Sequence, residues 1–284
     1  MSAPTPRVSV CIPAYRAEAT IGAAIASVLA QTIDDWELLV LDDCSPDATL
    51  VVARAFSDPR IRVDVQPTNV GAEANWNDVV ARARGRYVKL LCSDDLLEPT
   101  CLARQADALD AHPSAVLAAS PRHIIDARGR IVLRARGLGG LRGLVPGPQA
   151  ARRLVRSGTN LLGEPSAVLF RRDALDPGGA FDGRHPYLID VELYLRLLRA
   201  GDLVAVPEPL ASFRVSPTSW SSALARVQGA QARALFHEEA ARADSAVTRL
   251  DAALGAARTR ILTPLRRAVF ALGDARVRYA GSHP

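Results

Sequence analysis

The sequence predicts an α/β fold with a mostly parallel central sheet. Short apolar runs alternate with helical periodicities from Val8 to Ala111, the pattern of repeated right-handed βαβ units. The apolar runs are continuous rather than alternating, as in strands covered on both faces. No stretch reaches the ~20 apolar residues that span a bilayer.

The elements follow in order. Val8–Pro13 (VSVCIP) reads as the first strand, and Ala17–Ala30 places Ile21, Ile25, Val28 and Leu29 at helical spacing. Trp36–Leu41 is the second strand, Asp47–Phe56 a helix with Asp47 near its N-terminus, and Ile61–Val65 the third strand. Ala72–Ala83 is a helix, Arg86–Leu91 the fourth strand, and Pro99–Ala111 a helix closed by His112-Pro113. The second half is less regular. Ser114–Ser120, Ile131–Arg134, Ser166–Arg171, Asp202–Val206 and Leu210–Val215 read as strands, and Tyr187–Arg199 as a helix stopped by Gly201. Arg136–Pro148, rich in Gly and Leu without a period, reads as a mobile loop. From Ala223 the chain is mostly helical, with a stripe through Leu250, Leu254, Ala257, Ile261, Leu265, Ala268 and Leu272 that Pro264 should kink.

With 284 residues, 49% of them hydrophobic, the chain suffices for one large domain (1–221) and a helical C-terminal extension (222–284). The net charge of +5 resides in that extension, whose ten arginines face five acids. A solvated helix face accounts for this basicity better than nucleic-acid binding. The sharper reading is peripheral contact with an anionic membrane; packing on the domain or in a homodimer is the plainer one. Cys11, Cys44, Cys92 and Cys101 show neither CxxC nor zinc spacing, which predicts a reducing, cytoplasmic setting.

The chemistry gathers at the strands' carboxyl ends, where open α/β sheets bind ligands. Pro13-Ala14-Tyr15 follows the first strand, Asp42-Asp43 the second, and Cys92-Ser93-Asp94-Asp95 the fourth. Four carboxylates directed at one crevice repel each other unless a cation or a hydrogen-bonding ligand intervenes. All-oxygen ligands favour magnesium or manganese over zinc. Ser45 and Asp47 serve as turn and cap residues, and Asp42 is expected to cap its own turn. Neither GxxxxGK[ST] nor GxGxxG is present, so a bound nucleotide would have its phosphates neutralised by metal rather than by a glycine cradle.

Over residues 7–220 the sequence resembles family 2 glycosyltransferases of the GT-A fold. The likeness rests on VSVCIPAYRAEATIGAAIASVLAQTIDDWELLVLDDCSPD, on Asn69-Val70-Gly71 with Asn75, on Cys92-Ser93-Asp94-Asp95, on Gly163-Glu164-Pro165-Ser166, and on Asp190-Val191-Glu192-Leu193. It implies inverting, non-processive transfer from a nucleotide-sugar donor to a glycan, lipid-linked or small-molecule acceptor. In that scheme Pro13, Ala14 and Tyr15 line the nucleobase pocket, and Asp43 bonds the base. Asn75 contributes to donor binding, Asp94 faces the ribose or metal shell, Asp95 holds manganese or magnesium, and Asp190 is the base. Glu192, about 200° away on the helix, is the fallback.

Three departures stand out. Cys92 replaces an acid, Ile189 replaces a Glu before Asp190, and Ser216 replaces a metal-binding histidine. A nucleotidyltransferase is the nearest rival, though the basic Gly-rich loop expected after its first strand is missing. A glycoside hydrolase with paired carboxylates and a non-catalytic sugar-nucleotide binder are the others.

Overall fold

The computed structural model describes residues 5–175, 180–216, 220, 224 and 226–262. Strands β1 (Val8–Ala14) and β2 (Trp36–Asp42) are buried at every position, because helices cover both faces of the sheet; this is why their sequences do not alternate. Between them α1 (Ile21–Leu29) lays Ile21, Ala24, Ile25 and Val28 onto the sheet. Helix α2 (Thr49–Arg54) starts later than Asp47: the Asp47 carboxylate stays outside it, accepting bonds from the Thr49 N–H (3.1 Å) and hydroxyl (2.5 Å). Then come β3 (Ile61–Val65), α3 (Ala72–Ala81), β4 (Tyr87–Leu90), the short β5 (Leu96–Leu97) and α4 (Cys101–Ala111).

The second half contributes β6 (Ala115–Ala119), β7 (Arg122–Ile125), β8 (Ile131–Arg136), β9 (Gly143–Val145), α5 (Gly147–Ser157), β10 (Val168–Arg171), α6 (Ile189–Ala200), β11 (Asp202–Ala205) and β12 (Ala211–Arg214). Helix α7 (Gln228–Ala241) and a helix over residues 249–262, α8, close the described chain. Pro264 and the stripe residues beyond it lie outside the described residues.

The large sheet runs β3-β2-β1-β4-β10-β6-β11-β9, and a small one β5-β12-β7-β8. The first four strands are parallel, whereas β10 is antiparallel to both its neighbours and β9 to β11. The strands that carry the two Asp pairs, β2 and β4, do not adjoin. Instead β1 lies between them, because the chain winds outward from β1 to β3 and then crosses back to place β4 on its other side. That reversal opens a crevice at the carboxyl ends of β1 and β4.

The predicted loop 136–148 is corrected. It holds β9 and leads directly into α5, which buries Ala150, Ala151, Leu154 and Val155 along one face. Pro148 near its start and Gly158 at its end, with φ +65°, are the start and stop signals of a helix. The Gly-rich stretch before it hid the periodicity.

The C-terminal helices join the main core. Ala232, Leu235 and Phe236 of α7, and Ala252 of α8, pack in the same cluster as Leu154 and Leu197. The buried Asp251 binds Arg152 (2.9 Å) and Arg156 of α5. Burial opposes its charge, yet Thr248 and the two arginines bring its pKa down to about 2. Gly255 allows this close crossing, since an added Cβ would stand 2.2 Å from the Val155 carbonyl oxygen.

Candidate active site at the carboxyl edge of the sheet

A crevice of about 1450 Å³ opens over β1 and β4, and its lining includes Pro13, Ala14, Tyr15, Asp43, Asn75, Asp94 and Asp190. Of the eight residues singled out from the sequence, only Asp95 does not line the crevice.

The two Asp pairs behave differently from the four convergent carboxylates expected. Asp42 is buried and turned into its own turn, accepting from Ser45 N–H (3.0 Å) and Ser45 Oγ (2.5 Å), as a turn cap should. Asp43 reaches the wall, and its two oxygens accept the Val70 and Gly71 N–H groups at 2.7 and 3.0 Å. It thereby fixes the start of α3, where Gly71 adopts φ +86°. Asn75 is likewise braced, donating to the Leu41 carbonyl at 3.1 Å. Asp95 is wholly buried: Ser166 Oγ donates to one oxygen at 2.5 Å and Arg214 N–H to the other at 2.9 Å. Asp94 faces the crevice instead. Burial pushes both carboxyls up, and Asp94 repels Asp95 further. Asp95 therefore clamps β12 and the 165–167 turn behind the site, and the open position belongs to Asp94.

Among the described residues, no group of three or more His, Cys, Asp or Glu side chains is placed to hold a metal. A hard cation that arrives on a diphosphate needs only one or two protein carboxylates. Asp94 offers one, and Ser216 lines the same crevice, so the residues present fit a cation carried by a ligand better than a resident one.

Asp190 opens α6 on the opposite wall. It is nearly buried (7% exposed). Its own helix supplies the Val191 N–H to Oδ1 at 2.8 Å, and Asn160 Nδ2 donates to Oδ2 at 2.6 Å. The Asn160 amide is oriented in turn by the Gly163 N–H on its Oδ1, at 3.1 Å. Burial, then repulsion from Glu164, outweighs these donors and Arg122, lifting the Asp190 pKa to about 7. Glu164 forms a two-pronged pair with Arg122, at 2.6 and 2.9 Å. Glu192 is directed elsewhere, to Arg196 at 3.2 Å. Trp76 stands at the crevice in T-shaped contact with Phe181 and Trp220.

Sequence reasoning missed Asn160 and Arg122. Both belong to loops and strands without periodicity, and only the fold brings them to Asp190. The Gly that follows Asn160 by three residues was the one available signal, since Asn and Gly at that spacing favour a side-chain-closed turn.

An α/β sheet with acids at the switch in strand order and a carboxyl poised near neutrality on the facing helix is the frame of a group-transfer enzyme that binds a nucleotide. The chain belongs to glycosyl transferase family 2, whose family model matches residues 9–179. An uncharacterized protein of Mycobacterium tuberculosis is 33% identical over 216 residues, covering 72% of this chain and 66% of its own. The Escherichia coli UDP-Glc:alpha-D-GlcNAc-diphosphoundecaprenol beta-1,3-glucosyltransferase WfgD is 45% identical over 89 residues, covering 31% of this chain and 35% of its own. The chain thus spans between about a third and two-thirds of these relatives. Among solved structures, S. aureus TarS 1-349 in complex with UDP-GlcNAc aligns with TM-score 0.64 at 17% identity, over 84% of this chain and 67% of that one. The mannosyltransferase PcManGT from Pyrobaculum calidifontis, in complex with GDP-Man and Mn2+, aligns with TM-score 0.64 at 16% identity, over 99% and 78%. At these identities the shared feature is the fold, which is of GT-A type.

Proposed function

We propose that this chain transfers a sugar from a nucleoside-diphosphate donor to an acceptor hydroxyl, with inversion at the anomeric carbon. The observation that carries the reading is Asp190: a carboxyl braced by Asn160, raised to about 7, and lining the same crevice as Asp94. A hydroxyl is a poor nucleophile, and a positioned carboxylate of near-neutral pKa assists its attack by ~10²–10⁴-fold. Pro13, Ala14 and Tyr15 form the wall for the nucleobase. Asp43 holds the loop around it, through Val70 and Gly71. Asp94, in place of the Asp95 expected from sequence, faces the diphosphate and its manganese or magnesium ion. The cation, when bound, neutralises charge on the departing nucleotide.

Residues 1–221 make the transferase unit, and the helices after them seal its acceptor side. The acceptor class we favour is lipid-linked, on the side of the membrane that faces the cytoplasm; the diphosphoundecaprenol in the name of WfgD supports it. The test is calorimetry with nucleoside diphosphates and their sugars, with and without manganese, followed by product analysis. Metal-dependent donor binding and release of nucleoside diphosphate are expected. Release of pyrophosphate would instead make the chain a nucleotidyltransferase.

A further inference from the structure

The described members of the stripe that the sequence places along the last helix face away from the core. Helix α8 lies on α5 through Asp251, Ala252, Gly255, Ala256 and Thr259. Leu250, Leu254 and Ile261, four and seven residues apart on the opposite face, are 64%, 44% and 71% exposed. Exposed Arg249, Arg258 and Arg260 flank them. Asp251 is the one acid in 249–262, and it is buried under Arg152 and Arg156.

A second surface of the same composition lies on the β7–β8 hairpin. Every residue of β8 is exposed, including Ile131, Val132 and Leu133. Arg128, Arg130, Arg134 and Arg136 surround them. The one acid in this hairpin, Asp126, is buried and paired with Arg130. The two surfaces share a rim: Leu133, Ala135 and Arg136 from the hairpin and Leu262 from the end of α8 line the same crevice.

We infer that this rim seats the protein on an anionic membrane surface, with the crevice mouth at the level of the lipid headgroups. Aliphatic side chains flanked by exposed arginines, with no exposed acid between them, suit the boundary between headgroups and acyl chains. A second copy fits less well, because arginines would oppose arginines. Nucleic acid fits less well because single strands are held on aromatic planes, and neither surface offers one. The inference rests on the transferase reading only for what the membrane presents, a hydroxyl-bearing lipid-linked acceptor.

The experiment is flotation of the full chain with vesicles of equal parts phosphatidylglycerol and phosphatidylcholine, against phosphatidylcholine alone, at low and high salt. Binding confined to the anionic vesicles and weakened by salt is expected. Arg249→Glu with Arg260→Glu, and separately Arg128→Glu with Arg134→Glu, should each lower it about 25-fold, near fivefold per basic residue removed. Leu250→Ser with Leu254→Ser should weaken it at any salt concentration. Calorimetric nucleotide binding, unchanged in all three variants, shows that they fold; it also separates failure of this surface from failure of the transferase reading. Absence of flotation, or flotation undiminished in every variant, overturns the inference. So does sedimentation of a dimer that the leucine variant dissolves, or equal retention on an oligonucleotide.

Discussion

The two walls of the crevice keep their carboxyl groups in different ways. At and behind the β1–β2–β4 wall, Asp42, Asp43 and Asp95 are each met by two donors, most of them backbone N–H groups. Those acids brace the backbone around the crevice, whereas Asp94 lines it. On the α6 wall, Asp190 also has two donors, but burial and Glu164 overcome them. One wall therefore fixes shape, whereas the other holds a proton whose departure is tuned near neutrality. The nearness of a carboxylate to a crevice says little about its role until its partners are counted.

The sharpest way to break this contrast is Asp190→Asn. We expect turnover to fall by at least ~100-fold, the low end for general-base catalysis, with calorimetric donor affinity unchanged. Stability should move the other way. Because the folded pKa of Asp190 is raised to about 7, the native state holds a proton that the unfolded chain releases near pH 4. Stability is then lost as pH rises from that value toward about 7, and the loss persists above it. Asp190→Asn removes the penalty, so its Tm at pH 8 should exceed that of wild type. Near-normal turnover would reduce Asp190 to a helix cap.

Next in size is the Asp94/Asp95 pair. Asp94→Asn should abolish metal-dependent donor binding and leave Tm nearly unchanged. Asp95→Ala strips the acceptor from Ser166 and Arg214 and should lower stability by about 1–3 kcal/mol, measured by urea unfolding. If Asp95→Ala keeps full stability and loses only the metal, the roles expected from sequence are restored.

A smaller effect concerns pH. Turnover should rise with pH through about 7, where Asp190 loses its proton. Glu164→Gln removes the repulsion and should move this limb to lower pH. Asn160→Ala removes a donor to the carboxylate and should move it higher. Identical profiles in all three proteins would mean that the limb belongs to another group.

The smallest expected effect is on packing. Gly255→Ala sets a methyl group against the Val155 carbonyl and should lower Tm through an overpacking cost of about 1–3 kcal/mol.

The wall built by β1, β2 and β4 was legible because it is local: unbroken apolar runs name the strands, and the acids directly after them name the crevice. What the sequence left obscure was direction. Whether Asp94 or Asp95 faces outward depends on Ser166 and Arg214, which lie 71 and 119 residues from Asp95. The facing wall was legible at Asp190, through the first turn of α6, and at Glu164 only as part of the segment Gly163-Glu164-Pro165-Ser166. Asn160, Glu164 and Arg122 come from segments with no period, and long-range pairing alone unites them. The stripe on α8 was read with the right period, but the period does not say which face meets the domain: the small residues Ala252, Gly255 and Ala256 make that contact, and Leu250, Leu254 and Ile261 stay exposed.

The joint between α5 and α8 has a mechanical consequence. Thr259 Oγ1 donates to the Gly158 carbonyl at 3.0 Å, and Gly158 is two residues from Asn160, whose amide holds Asp190. An added Cβ on Gly158 would stand 2.7 Å from the Gly255 carbonyl oxygen, so the two glycines let the last described helix anchor the turn that carries Asn160, and a change at either glycine is expected to reach Asp190 through that turn.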